Sequence, residues 1–239
     1  MDWRDEGVLL SMRPHGESAA IIEVLTALHG RHAGVVRGGA SRKMAATLQP
    51  GTGLALEWRA RLDDHIGSFT VEPLRSRAHL LADRLALAGL MSACALLRVA
   101  LPEREPHPGL WTVTLALFDR LGGPDWTSVY LRWELQLLEE LGFGLDLSAC
   151  AVTGSVEDLA YVSPKTGRAV TKAGAGDWAD RLLPLPAGLV GEAVLPPGDV
   201  VTGLQLTGFF LDRGLRPVLQ DKPLPEARAR LLDLLSRPA

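Results

Sequence analysis

The spacing of apolar residues changes once along this chain, near Ser76, and that change sets the fold class. From residue 6 to residue 74 apolar side chains come in short runs rich in Val, Ile, Leu and Thr: EGVLLSMRP, SAAIIEVLTALHG, HAGVVRGG, GLALEWRARL and GSFTVEPL. Each run is bounded by turn-forming material, namely PHGES, HGR, GGAS, PGTG and DDHIG. Leu54, Leu56 and Trp58 alternate with Ala55, Glu57 and Arg59, and Phe69 and Val71 with Thr70 and Glu72. A period of two places one face of a sheet on a core and leaves the other wet. Five such strands with one longer connection, GGASRKMAATLQPGTG, predict a small closed barrel, of which the OB-fold is the commonest five-stranded kind.

Beyond Ser76 the period is helical. Residues 78–101 contain the apolar run LALAGLMSACALLRVAL and read as one helix, ended by PEREPHPG. Residues 109–121 form a second, stopped by Gly122-Gly123-Pro124. Asp125 is the expected N-cap of a third, ending at Gly142, with Val129, Trp133, Leu137 and Leu141 recurring every fourth position beside Tyr130 and Leu138. Residues 146–185 are irregular apart from a hairpin over LAYVSPKTGRAV turning at SPKTG, and two last helices cover roughly 199–213 and 224–236. The fold class is therefore α+β: a barrel domain at 1–77, then a helical domain at 78–239 with a knuckle-like insertion at about 147–185.

The run at 85–101 carries Arg98 and falls short of the roughly 18 uninterrupted apolar residues a membrane span needs. MDWRDEG lacks the basic-then-apolar order of a signal peptide. Two cysteines, Cys94 and Cys150, are too few for a disulfide scaffold. Together these point to a cytoplasmic chain, with Cys94 serving as a small core hydrophobe.

A net charge of −3 hides a local bias. Arg31, Arg37, Arg42, Lys43, Arg59 and Arg61 stand between positions 31 and 61, opposed only by Glu57, whereas acidic residues outnumber arginines from 79 to 150. A basic patch on a mildly acidic molecule suits either a localised nucleic-acid face or a solvated hairpin whose charges keep the barrel soluble. Gly34, Gly38 and Gly39 would let backbone amides approach a phosphate closely. Aromatics are scarce: Trp3, Trp58 and Phe69 only, the last two on the core face by alternation. Base stacking, worth about 1–3 kcal/mol per base, then cannot dominate. Binding should be electrostatic, indifferent to sequence, open to single and double strands, and steeply weakened by salt.

Catalytic signatures are missing. There is no Walker-type phosphate loop, no G-x-S-x-G and no H-E-x-x-H, and GVVRGGAS lacks the Lys-Ser/Thr and the helix that phosphate binding needs. His29 and His32 read as solvated turn residues with no acid at ligand-like spacing, and His15, His65, His79 and His107 are scattered. Cys150 opens Cys-Ala-Val-Thr-Gly, the outline of a C-x-x-C knuckle with Thr153 in second place. The matching pair would fall near Thr171 and Gly174, neither of them a ligand, and structural zinc wants four N or S donors. No metal and no other cofactor is expected, and no enzyme activity.

Several of these segments occur together in one family. WRDEGVLLSMRPHGESAAIIEVLTALHGRHAGVVRGGASRK, then LQPG, then YLRWELQLLEELGFGLDLSACAVTG and YVSPKTGRAV resemble the RecO family of bacterial recombination mediators. The similarity runs to about residue 172 and resumes at DKPLPEAR; the stretch from Trp133 to Cys150 and the R-P-x-G-E-S start at Arg13 are its most specific parts. The resemblance implies an OB-fold, a helical domain and, in many members, a four-cysteine zinc knuckle, of which this chain would hold a degenerate, zinc-less version. It also implies binding and annealing of single- and double-stranded DNA. With RecR, such a protein would help load RecA onto DNA covered by single-stranded-DNA-binding protein, whose acidic C-terminal tail it would recognise. Arg37, Arg42 and Lys43 fall on the family's basic loop, with Ala40 where a basic residue is often found. Arg132 falls on the arginine implicated in holding the tail, with Trp133, Leu137 and Leu138 as candidates for an apolar pocket and, more simply, for plain core. Lys222 and Arg228 resemble a C-terminal basic stretch, with Pro225 and Glu226 where Lys and Ser are common. A barrel that scaffolds acidic protein partners without touching DNA is the alternative, and a nucleotide-dependent enzyme a more distant one.

Overall fold

The computed structural model describes residues 1–62, 65–191 and 194–237; Asp63 and Asp64 of the expected DDHIG turn lie outside the described residues. The chain forms two compact units, Met1–Asp119 and Arg120–Ala239.

In the first unit β1 (Asp2–His15), β2 (Ala19–Thr26), β3 (Gly30–Val36), β4 (Gly53–Arg59) and β5 (Ser68–Arg75) close a barrel in the order β1-β2-β3-β5-β4. Closure rests on β1, whose first half pairs with β4 from Asp2 to Val8 and whose second half pairs with β2 from Gly7 to His15. A register irregularity between Leu9 and Ser11 bends the strand where it changes partner. The one parallel pairing, Val35 with Ser68 and Val36 with Phe69, joins β3 to β5. The alternation in β4 is as expected: Leu54, Leu56 and Trp58 are buried with Leu9, Ile22, Val24 and Phe69, and Ala55, Glu57 and Arg59 face outward.

Three local expectations need correction. The long connection after β3 contains a short helix, α1 (Arg42–Thr47), begun by Ser41, whose hydroxyl accepts from the Met44 amide; its exit residue Leu48 plugs the barrel core. The single helix expected over 78–101 is two elements, a 3₁₀ turn at Ala78–Ala82 and α2 (Arg84–Ala100). Asp83 divides them because its carboxylate caps α2, accepting from Leu85 and Ala86 at 2.9 and 3.0 Å. PEREPHPG, expected only to break a helix, lies along β3 before α3 (Pro108–Arg120) begins: Glu103 bridges Arg31, and the Arg104 amide donates to the Arg31 carbonyl at 2.8 Å. The Arg77 guanidinium donates to the Asp119 carboxylate on α3. These bonds hold residues 77 and 103–119 within the first compact unit.

The second unit holds α4 (Trp126–Glu140), a small sheet and two C-terminal helices, one long and one short. The sheet has the order β7-β6-β8, from β6 (Leu159–Val162), β7 (Ala169–Thr171) and β8 (Leu183–Pro184), with one turn of helix, α5 (Lys172–Ala175), after β7. The SPKTG turn closes as expected, Gly167 donating to the Ser163 carbonyl with φ +71°. Asp125 does precede α4, but at φ +61° and with no side-chain cap bond, so it turns the chain without capping it. α6 (Pro197–Leu219) and α7 (Glu226–Ser236) complete the unit, and no described helix is long and apolar enough to cross a membrane.

Candidate nucleic-acid interface

The six cations between positions 31 and 61 divide by what surrounds them. Arg37, Arg42 and Lys43 are exposed on the turn after β3 and the first turn of α1, and none makes an ion pair among the described residues. The Ala40 amide donates to the Ser18 carbonyl at 3.0 Å, tying this turn to the β1–β2 turn. That brings exposed Arg13 and His15 to the same end of the barrel, where Glu17 is the nearby acid in sequence. Arg61 is exposed beyond β4, also without an ion pair among the described residues. Arg59 sits opposite Ser68, which in turn sits opposite Val35, two residues before Arg37. Its guanidinium is shared with Glu57, whose carboxyl Arg59 holds below the usual range.

Arg31 is of another kind. It pairs with Glu23 at 2.9 Å and Glu103 at 3.4 Å, donates through Nε to the Leu101 carbonyl at 2.9 Å, and its side chain is 14% exposed. Burial pushes the Glu23 carboxyl up, but Arg98 and Arg31 outweigh it and hold the group below its ordinary range. Four charges on β2, β3, α2 and the strap at 103 thus satisfy one another. Arg31 is a strut joining barrel to strap, which no local spacing could show because its strap partner Glu103 is 72 residues away.

The glycines also separate. A Cβ on Gly34 would lie 2.4 Å from the Phe69 ring, so this position is small to admit a core aromatic and not to approach a phosphate. Gly38 has φ +68° with open space around it, and its turn requires glycine's freedom. The barrel aromatics present no free face: Trp58 and Phe69 are buried, and half-buried Trp3 stacks between Trp58 and His29, 4.0 Å from the latter. His29 is in a turn as expected, but β1 brings Asp5 to within 3.2 Å of its Nδ1. His32 is not a turn residue; it is buried in β3 against the Trp3, Trp58 and Phe69 rings. The outer wall of β1, β4 and β5 has the opposite sign: a groove of about 610 Å³ there is lined by Asp5, Glu6, Glu57 and Glu72, with Arg4. A polyanion meets repulsion along this wall and attraction at the α1 end.

In the second unit Arg132 donates to the Gly191 carbonyl at 2.9 and 3.2 Å and to that of Gly188 at 3.5 Å, bracing the 187–191 turn. Trp133, Leu137 and Leu138 are buried core residues. Lys222 is exposed, but Arg228 is buried against Glu134 and adds nothing to a basic surface. Among the described residues no group of three or more His, Cys, Asp or Glu side chains can hold a metal ion, and the donors around Cys150 do not fit a structural zinc.

Comparison with known proteins agrees with this architecture. Residues 1–77 match the family model described as Recombination protein O N terminal, and residues 81–223 match Recombination protein O C terminal. The chain is similar to the "DNA repair protein RecO" of Cereibacter sphaeroides, 66% identical over 237 residues and covering 99% of both chains. Proteins of the same name from Ruegeria sp. and Dinoroseobacter shibae are 61% and 57% identical over 239 residues, again covering 99% of each chain.

Proposed function

The chain belongs to the RecO family of DNA repair proteins, and from that premise we propose that it is a recombination mediator that binds single- and double-stranded DNA at the α1 end of its barrel and anneals complementary strands. The observation that carries the proposal is the trio Arg37, Arg42 and Lys43: exposed, without ion pairs among the described residues, on a barrel whose other wall is acidic. A surface that neutralises phosphates on two strands lowers their repulsion and lets base pairing proceed. The work is binding, with no covalent chemistry, and takes place in the bacterial cytoplasm at the nucleoid. With RecR the protein would help load RecA onto DNA covered by single-stranded-DNA-binding protein. The acidic tail of that protein would meet Arg132, whose guanidinium donates to the Gly188 and Gly191 carbonyls and would exchange them for a carboxylate.

The test is the annealing rate of complementary oligonucleotides with wild type and with Arg42→Glu/Lys43→Glu. The double variant should anneal markedly more slowly; an unchanged rate removes this surface from the function.

A further inference from the structure

The clearest mismatch between chain and family lies at the knuckle. Where four thiolates would meet a metal, this chain has Cys150, Thr153, Thr171 and Gly174, yet the fold still brings the four positions together. The Cys150 sulfur accepts from the Thr153 amide at 3.4 Å and the Thr171 amide at 3.3 Å, and lies 3.5 Å from the Thr171 hydroxyl. That hydroxyl accepts from the Gly174 amide at 3.0 Å. A Cβ placed on Gly174 would stand 3.1 Å from the Cys150 sulfur and 3.0 Å from the Thr171 oxygen.

We propose that this knuckle is a metal-free latch: the Cys150 sulfur and the Thr171 hydroxyl form the hydrogen-bonded centre that joins its two arms, and the arms keep the convergence of a four-ligand site. Three features support it. Each arm keeps the one-and-four spacing that points two residues at a common centre, and Cys150 and Thr171 begin the two arms. The centre is dry on one side, since Cys150 is buried with Val170 and Ala175 and covered by Leu159, Tyr161, Ala179 and Leu182. Burial alone would keep the thiol protonated, but the side-chain and backbone hydrogen bonds from Thr153 and Thr171 outweigh it and draw the group down to about 6. The sulfur is therefore a hydrogen-bond acceptor, held by the Thr153 and Thr171 amides. Thr153 and Thr171 hydroxyls are not zinc ligands, and one thiolate does not retain the ion. Backbone bonds finish the latch: Cys150 donates to Ser155 at 2.7 Å and Ala151 to Ala169 at 2.8 Å.

The experiment uses the full-length protein and three readouts. Purified protein should contain no stoichiometric metal, and its Tm should not move on chelation; one zinc or iron per chain would overturn the proposal. Amide exchange at Thr153 and Thr171 should be about ten-fold faster in Cys150→Ala, the change expected for losing two hydrogen bonds of ordinary net strength, with barrel amides unaffected. Unchanged exchange at those two amides would equally overturn it. Lastly, Thr153→Cys/Thr171→Cys/Gly174→Cys should bind one cobalt(II) with the absorption of a tetrahedral thiolate site. A folded triple variant that takes up no cobalt contradicts the convergence; if the variant does not fold, the Cys150→Ala exchange experiment decides.

Discussion

Arg228 on α7 holds Glu134 on α4 through two parallel bonds, Nε to Oε1 and Nη2 to Oε2, both 2.8 Å, and both side chains are almost wholly buried. The same arginine donates to the Leu204 carbonyl at 2.6 Å, and Thr207 donates its hydroxyl to Glu134, so the cluster joins three helices. Burial pushes the guanidinium towards deprotonation, but Glu134 outweighs it and raises its pKa. The family match ends at residue 223, yet the counter-charge for Glu134 comes from residue 228. Breaking one side of a buried pair leaves an uncompensated charge, so Arg228→Ala should cost about 3–5 kcal/mol. Replacing both partners by apolar residues, Glu134→Leu/Arg228→Met, should cost much less. Urea unfolding of the three proteins measures this, and equal losses for single and double variants would refute it.

Gly34 offers a packing test inside the barrel. Gly34→Ala drives a methyl group against the Phe69 ring and should destabilise the protein by about 1–3 kcal/mol, as overpacked cores do. Gly34→Ala/Phe69→Leu should be less destabilised than the sum of its parts. If Gly34 served phosphate approach instead, Gly34→Ala would weaken DNA binding without lowering Tm.

The Cys150 thiol gives a pH signature. Its folded pKa, near 6, lies below the ordinary thiol value of 9.0, so its contribution is fully present above about 9 and is lost as pH falls towards 6. The stability difference between wild type and Cys150→Ser should therefore widen from pH 6 to pH 9. A difference that is flat across that window would show the thiol to be neutral in the folded protein.

Arg132 carries the proposed partner contact, and its test is direct. Arg132→Ala should bind a labelled acidic tail peptide about ten-fold more weakly, the scale of a charge-assisted hydrogen bond. Equal affinity would place the tail elsewhere, consistent with Trp133, Leu137 and Leu138 being closed to solvent.

Legibility in the sequence followed the range of the forces involved. The inward run Leu54, Leu56, Trp58 and the SPKTG hairpin are governed by neighbours a few residues away, and both stood out as patterns. α1 did not, because six residues give less than two turns and its one signal, the Ser41 cap, lies among turn residues. His32 is hidden from a local reading because β3 begins at Gly30, two residues before the apolar run suggests, which puts the imidazole inside the strand among three aromatic rings. Nothing local marks Arg31 and Arg228 as interior residues, since arginine is seldom buried. Glu23 is eight residues from Arg31, on the next strand, and Glu103 and Glu134 lie 72 and 94 residues from their arginines, beyond any local rule. At the basic turn the reverse holds: Arg37, Arg42 and Lys43 are close in sequence, lie in a turn, and are exposed in the structure.

That contrast supplies the decisive measurement, the salt dependence of oligonucleotide binding for wild type, Arg42→Glu/Lys43→Glu and Arg31→Ala. A single-strand contact contributes about −0.7 to the slope of log K against log salt, so losing two phosphate contacts should flatten the slope by about 1.4. Arg31→Ala should lower stability by about 1.5–3 kcal/mol through its lost charged hydrogen bonds while leaving the slope intact. An unchanged slope in the double variant, or a slope that flattens in Arg31→Ala instead, would contradict DNA binding at the α1 end of the barrel.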